Sequence, residues 1–150
     1  MIDHQIQDIA QRYGIILIYL FGSEAQRGKI YLEGGKDMPH PFSDLDVAVS
    51  FKKAPEKPME IYGRLYREIS EVFLPFNVDL LFMHEVDTLF QYEIITGFRI
   101  YASDEFAADE FEEGIMKRSE DLSFKKRGFD LDMMETVENG YFEIEYSPNP

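Results

Sequence analysis

The chain has 150 residues, of which 45% are hydrophobic and 15% aromatic, and its formal net charge is −14. This length and apolar content suit one folded domain with a core and exclude a largely disordered chain. The sequence has no cysteine, which excludes disulfides and thiolate metal sites, and no apolar run approaches the roughly 18 residues of a membrane span. We expect a soluble, cytoplasmic protein whose acidity disfavours direct binding to nucleic acid or membranes and either attracts a basic partner or serves solubility alone.

The first third of the chain alternates predicted helices and strands. The apolar spacing of residues 3–13 predicts a helix, and the β-branched and aromatic run at 15–21 predicts a buried strand. The stretch GSEAQRG predicts a turn into a short helix, and residues 28–42 predict a loop in which the glycine pair 34–35 turns a small hairpin. The alternating segment 44–51 predicts a strand with one apolar face.

The rest of the chain continues this alternation and ends in an acidic extension. We interpret the whole chain, 1–150, as one domain with a core of about 1–102 and a helical extension and tail of about 103–150. The predicted elements are a helix at 58–72, a strand at 77–83, a helix at 88–96 capped by Asp87, a strand at 98–103, an acidic helix at 104–118 that is capped by Ser103 and continues to about 135, and a turn with a strand or tail at 139–150.

Three aspartates inside apolar strands carry the strongest chemical signal. Asp44 and Asp46 lie two residues apart in SDLDVAV, so both side chains point to the same face of a strand. Asp79 lies in the similar segment VDLLF, and all three carboxylates face one point if the two strands pair side by side. Such carboxylates are costly unless a cation or donors compensate them, and oxygen ligands suit Mg²⁺ or Mn²⁺. The sequence therefore predicts a divalent metal site.

A Gly-Ser pair between the first strand and a helix predicts a phosphate site. The helix start exposes backbone N–H groups that favour an anion, and Gly22 lets a phosphate approach without a Cβ in the way. Ser23 offers a hydroxyl, and Arg27 follows about one helical turn later. A phosphate site beside a divalent metal site is the equipment for nucleotidyl transfer from a nucleoside triphosphate.

The stretches LFGS, SDLDVAV and VDLLF together resemble the minimal nucleotidyltransferases (MNT) of the DNA polymerase beta superfamily. The resemblance implies an α+β nucleotidyltransferase fold, a small mixed β-sheet flanked by helices, here followed by the acidic helical extension. It also implies that Gly22 and Ser23 hold the triphosphate of ATP and that Asp44 and Asp46 bind two Mg²⁺. Asp79 would complete one metal site and help to deprotonate the acceptor hydroxyl.

The resemblance covers roughly residues 15–102 and also bears on the acceptor. Minimal members are often antitoxins paired with a helical HEPN-type ribonuclease toxin, and some adenylylate a tyrosine of that toxin with ATP. The resemblance therefore implies a HEPN-type toxin as the protein partner. Two alternatives stay open, namely an antitoxin with weak or no catalysis that neutralises its partner by contact, and a small-molecule transferase of the aminoglycoside-modifying type.

Two features depart from the family pattern. The segment between Ser23 and Asp44 is longer than is usual in the family. The family reads Gly-Ser-x-Ala-Arg-Gly, whereas this chain reads GSEAQRG, so that Gln26 stands at the arginine position and Arg27 follows one residue later. One residue rotates a helix by about 100°, so a nucleotide-binding role for Arg27 depends on where that rotation places its side chain.

Overall fold

A computed structural model describes residues 2–36, 39–40 and 42–138, and the turn and strand predicted at 139–150 lie outside the described residues. Within the described part, helices and strands alternate along the chain, as the sequence predicts. The helices are α1 (Ile2–Tyr13), α2 (Ala25–Leu32), α3 (Pro58–Val72), α4 (Thr88–Ile95) and α5 (Glu105–Glu138), and the strands are β1 (Ile15–Phe21), β2 (Leu45–Phe51), β3 (Val78–Phe82) and β4 (Phe98–Ala102).

The four strands form one mixed sheet in the order β3-β2-β1-β4. β1 is antiparallel to both of its neighbours, and β2 runs parallel to β3. The register pairs Asp46 of β2 with Asp79 of β3 on one side and with Phe21 of β1 on the other. The side-by-side pairing of the two aspartate strands, on which the sequence-based metal site depends, is therefore confirmed.

Helices cover both faces of the sheet and thereby bury β1 on both sides, as its continuous apolar run predicts. On one face, α1, α2 and α3 pack on a core that includes Ile18 and Val47. On the other face, α4 and α5 pack on a core that includes Tyr19 and Ala48. Side chains alternate along a strand, so Asp46 lies on the face of Ala48, at the sheet end where β2 begins.

The segment after the Gly-Ser turn differs from the sequence-based prediction. Helix α2 continues to Leu32, and the described residues between it and β2 form no strand, so the hairpin predicted at the glycine pair is wrong. The helix is longer because its last turn has an apolar face. Leu32 is buried in the core, and the ring of Tyr31 lies 5.7 Å from that of Phe76. Gly34, with a φ of +93°, follows the end of the helix.

The two predicted helix caps had different outcomes. Asp87 caps α4, since its carboxylate accepts a hydrogen bond from the backbone N–H of Phe90 at 2.8 Å. The cap predicted at Ser103 is wrong by one residue, because Asp104 accepts the N–H groups of the first turn of α5. Ser103 is still engaged with the sheet, where its N–H donates to the carbonyl of Ile16 at 2.9 Å.

Arg99 of β4 fastens α5 to the sheet. Its guanidinium donates to the carboxylates of Glu105, Asp109 and Glu112, which are spaced along one side of the helix, at 2.7, 3.0 and 2.9 Å. Glu112 also accepts a hydrogen bond from the hydroxyl of the buried Tyr19. Burial and this hydrogen bond raise the pKa of Tyr19 above its ordinary value, so the phenol stays protonated. Some of the acidic residues of α5 thus serve to hold the helix against the sheet.

We expect Arg99→Met to destabilise the protein by about 2–3 kcal/mol, because it leaves several carboxylates without their shared cation. The matched control is Arg64→Met, which removes an exposed i,i+4 ion pair with Glu60 and should cost at most about 0.5 kcal/mol. Urea unfolding curves of both variants provide the measurement. Equal losses of unfolding free energy in the two variants would show that the ion pairs of Arg99 do not hold α5 in place.

Candidate functional site

Three carboxylates meet at the end of the sheet where β2 and β3 begin. Asp46 is half-buried in β2, Asp79 lies opposite it in β3, and Asp44 is exposed in the residues just before β2. The carboxylates of Asp44 and Asp79 are exposed and accessible to a ligand, whereas that of Asp46 is partly covered by its neighbours. These are the three acids that the sequence predicts to act together.

The charge on Asp46 is destabilised by its surroundings. Burial raises the pKa of Asp46 above its ordinary value of 3.8, and the negative charges of Asp79 and Asp44 raise it further. Asp79 and Asp44 therefore each lie close enough to Asp46 for their charge to act on it. A cation placed among them relieves both the repulsion and the cost of burial.

The Gly-Ser turn lies directly against this cluster. Gly22 follows β1 with a φ of +77°, a conformation that residues with a Cβ rarely adopt. A Cβ on Gly22 would lie only 2.2 Å from the Oδ2 atom of Asp46. The carboxylate of Asp46 thus lies against the turn, and an anion held at Gly22 and Ser23 would be its direct neighbour.

The start of α2 adds backbone donors beside the turn. Glu24 immediately precedes the helix, and its side chain makes no capping hydrogen bond. The N–H groups of the first turn are therefore not taken up by a side-chain cap, and the positive end of the helix dipole lies next to Ser23. This arrangement favours a phosphate, as the sequence predicts.

A groove of about 310 Å³ opens beside the Gly-Ser turn, between the start of α2 and the end of α4. Gly22, Ser23 and Gln26 line this groove, as do Glu93 of α4 and Thr96, which directly follows that helix. Glu93 and Thr96 were not recognised in the sequence, because this segment is distant in the chain and carries no motif. The groove joins elements that only the folded sheet brings together.

The side chain of Arg27 does not line this groove. Its Nη1 atom lies 3.7 Å from the Oε1 atom of Glu24. Glu24 is only 3% exposed, and sequence analysis assigned it no role. The structure therefore brings together five of the six residues predicted for the site, while Arg27 points toward a buried carboxylate beside it.

The carboxylates fit Mg²⁺ bound together with a nucleotide. Among the described residues, no group of three histidine, aspartate or glutamate side chains is arranged so that it could hold a metal ion. Mg²⁺ does not require three protein ligands, since it commonly takes one or two protein carboxylates together with substrate phosphates and water. Asp46 with either neighbour supplies such a set, and the adjacent turn suits the phosphates.

In the same described part of the chain, every helix is too short or too polar to span a bilayer.

Comparison with known proteins agrees with this geometry. The helix-flanked mixed sheet is a nucleotidyltransferase fold, which is also found in solved structures with similar chains. Residues 4–106 match the family described as polymerase beta, nucleotidyltransferase, and the chain belongs to this family. The protein is therefore a nucleotidyltransferase by family and fold. A search of curated protein sequences found no significant match.

Three similar solved structures come from toxin–antitoxin complexes. One is a toxin–antitoxin with AMP-PNP, at 19% identity and a TM-score of 0.63, covering 89% of this chain and 99% of that chain. Another is a tri-AMPylated Shewanella oneidensis HEPN toxin in complex with an MNT antitoxin, at 17% identity and a TM-score of 0.59, covering 89% of this chain and 96% of that chain. A third is the toxin–antitoxin MntA–HepT, at 17% identity and a TM-score of 0.59, covering 89% of this chain and 97% of that chain. At these identities the likeness establishes the fold.

Proposed function

We propose that this protein is a Mg²⁺-dependent nucleotidyltransferase that transfers AMP from ATP to a tyrosine hydroxyl of a HEPN-type toxin. The observation that carries the proposal is the position of Asp46. It lies in register with Asp79 and directly against Gly22, so that a metal-binding carboxylate and a phosphate-binding turn share one sheet end. Membership in the polymerase beta nucleotidyltransferase family supports the same reaction class.

The proposed reaction is a substitution at the α-phosphorus of ATP. The acceptor oxygen forms a bond to the α-phosphorus of ATP, the bond from that phosphorus to the bridging β-oxygen breaks, and pyrophosphate leaves. Asp79 is exposed at the edge strand and accepts the proton of the acceptor hydroxyl. Asp44 and Asp46 would hold Mg²⁺, Asp79 would complete one of the metal sites, and the bound metal would compensate the charge on the phosphates.

Gly22, Ser23 and the first-turn N–H groups of α2 hold the triphosphate. The missing Cβ of Gly22 leaves room for the carboxylate of Asp46 against the turn, and the hydroxyl of Ser23 adds a donor for a phosphate. A phosphate contact by Arg27 requires its release from Glu24.

Three features support a protein acceptor rather than a small molecule. The net charge of −14 attracts a basic partner, and the similar solved chains come from complexes with a toxin. The far half of α5 also carries exposed large apolar side chains, which is typical of a protein-binding surface. These side chains are Leu122, Phe124, Phe129, Leu131 and Met134. The same surface supports the contact-only antitoxin as the second candidate.

The proposed reaction is tested on the purified complex with its toxin. After incubation with ATP and Mg²⁺, mass spectrometry should detect AMP on a tyrosine of the toxin. Asp79→Asn should slow this modification by about 100-fold or more, since the variant loses a proton acceptor and a metal ligand. A toxin that is bound and inhibited but never modified would instead establish the contact-only alternative.

A further inference from the structure

We propose that Glu24 holds Arg27 away from the groove beside the Gly-Ser turn, so that the neutral Gln26 is the side chain that contacts the terminal phosphates of the nucleotide. This inference rests on the proposed function, because it concerns the same nucleotide site. It revises the expectation that Arg27 binds the nucleotide, and it assigns roles to two residues that sequence analysis left without one.

Glu24 is a buried carboxylate that needs a cation. Its side chain is 4% exposed, and its Oε2 atom has no hydrogen-bond partner among the described residues. Within that part of the chain, the one ion pair found for Glu24 is with Arg27, whose Nη1 atom lies 3.7 Å from Oε1. Since a buried carboxylate is strongly disfavoured without a counter-charge, Glu24 restrains the guanidinium of Arg27.

The restraint decides which side chain reaches the nucleotide. Gln26 and Arg27 are consecutive residues of α2, so their side chains point about 100° apart. Gln26 is exposed and lines the groove together with Ser23, whereas Arg27 leans back along the helix toward Glu24. The side chain of α2 that offers a polar group to the groove is thus the uncharged amide of Gln26.

The charges around the groove give this arrangement a consequence for binding. The groove is lined by the positive start of α2 and by Glu93 near the end of α4, where the helix dipole is negative. With Arg27 held back, the terminal phosphates are bound by backbone N–H groups, the hydroxyl of Ser23 and the amide of Gln26. Neutral hydrogen bonds of this kind are weaker than charge-assisted ones, so the site is built for modest affinity.

The test is calorimetry of a non-hydrolysable ATP analogue with Mg²⁺, using the full chain and point variants. Gln26→Arg should tighten binding by about 10-fold, because it adds a charged donor in the groove, and Gln26→Ala should weaken it by about 3-fold or more. Arg27→Ala should keep the affinity within about 2-fold of wild type while lowering Tm, since it leaves Glu24 unpaired.

Glu24→Gln tests the restraint itself. It should tighten binding several-fold by releasing Arg27, and Glu24→Gln combined with Arg27→Ala should return the affinity to the wild-type value. A loss of about 10-fold or more in Arg27→Ala overturns the inference, as does unchanged affinity in Gln26→Ala or in Glu24→Gln. If neither wild type nor any variant binds the analogue, the proposed function fails instead.

Discussion

Replacing Asp46 by asparagine should raise thermal stability at neutral pH and reduce nucleotidyl transfer by about 100-fold or more. The charge of Asp46 is disfavoured by burial and by Asp79 and Asp44, so its removal relieves a cost of the folded state. The same charge is required once metal and nucleotide are bound, because the carboxylate then helps to compensate the phosphates.

The pH dependence of stability follows from the direction of this pKa shift. Because the pKa of Asp46 is raised in the folded state, the folded protein binds more protons than the unfolded chain between the ordinary value of 3.8 and the raised value. The contribution of Asp46 to the free energy of unfolding is therefore fully present below that pH window, and it is lost as the pH rises through the window. Asp46→Asn lacks this loss, so its advantage in Tm should be present at neutral pH and vanish at acidic pH.

Melting curves without metal, measured at both pH values and paired with a transfer assay, check both parts of this prediction. A variant that melts well below wild type at neutral pH would mean that Asp46 is held by favourable contacts and has a structural role. Full transfer by the variant would remove Asp46 from the metal site.

Replacing Gly22 by alanine should abolish detectable nucleotide binding. The new Cβ would lie 2.2 Å from Oδ2 of Asp46, so the turn or the carboxylate must shift, and either movement disturbs the place where phosphate and metal meet. The positive φ of +77° adds strain of roughly 1–2 kcal/mol, so stability falls as well.

Gly14→Ala is the control that separates the effect of backbone strain from an effect on the phosphate site. Gly14 has a similar φ of +68°, but a Cβ there would meet no atom within 4 Å, and it lies at the other end of β1. Calorimetry with ATP and Mg²⁺ should show wild-type binding for this control despite a comparable loss of stability. Retained binding by Gly22→Ala, or equal loss in both variants, would show that the Gly-Ser turn is not the phosphate site.

The position of the aspartate in β2 could be predicted because local rules govern it. The alternation along the strand determines which side chains share a face, so Asp46 could be placed on the face of Ala48 before any contact was known. Asp44 was predicted to lie in the same strand, but β2 begins at Leu45, so alternation does not place the carboxylate of Asp44. That Asp79 lies opposite Asp46 depends on β2 and β3 being neighbours. Motif resemblance supplied this neighbour relation, and periodicity alone does not contain it.

The errors came from positions that tertiary contacts decide. Ser103 is a good cap by residue type, but the sheet retains its N–H group, and the helix therefore starts after Asp104. The glycine pair after α2 suggested a hairpin, whereas burial of Leu32 extends the helix instead. A nucleotide contact by Arg27 stays a prediction. The orientation of its side chain could not be predicted because it depends on the burial of Glu24, and an acid that follows a Gly-Ser turn is ordinarily exposed.

We expect the protein to transfer AMP from ATP to the HEPN-type toxin. A labelling comparison on the complex of the two proteins tests this most directly. ATP labelled at the α-phosphate and ATP labelled at the γ-phosphate are supplied in parallel with Mg²⁺. The α-label should appear on the toxin, and the γ-label should leave with pyrophosphate. Transfer of the γ-label, or of neither label by a complex that binds ATP, would contradict the account.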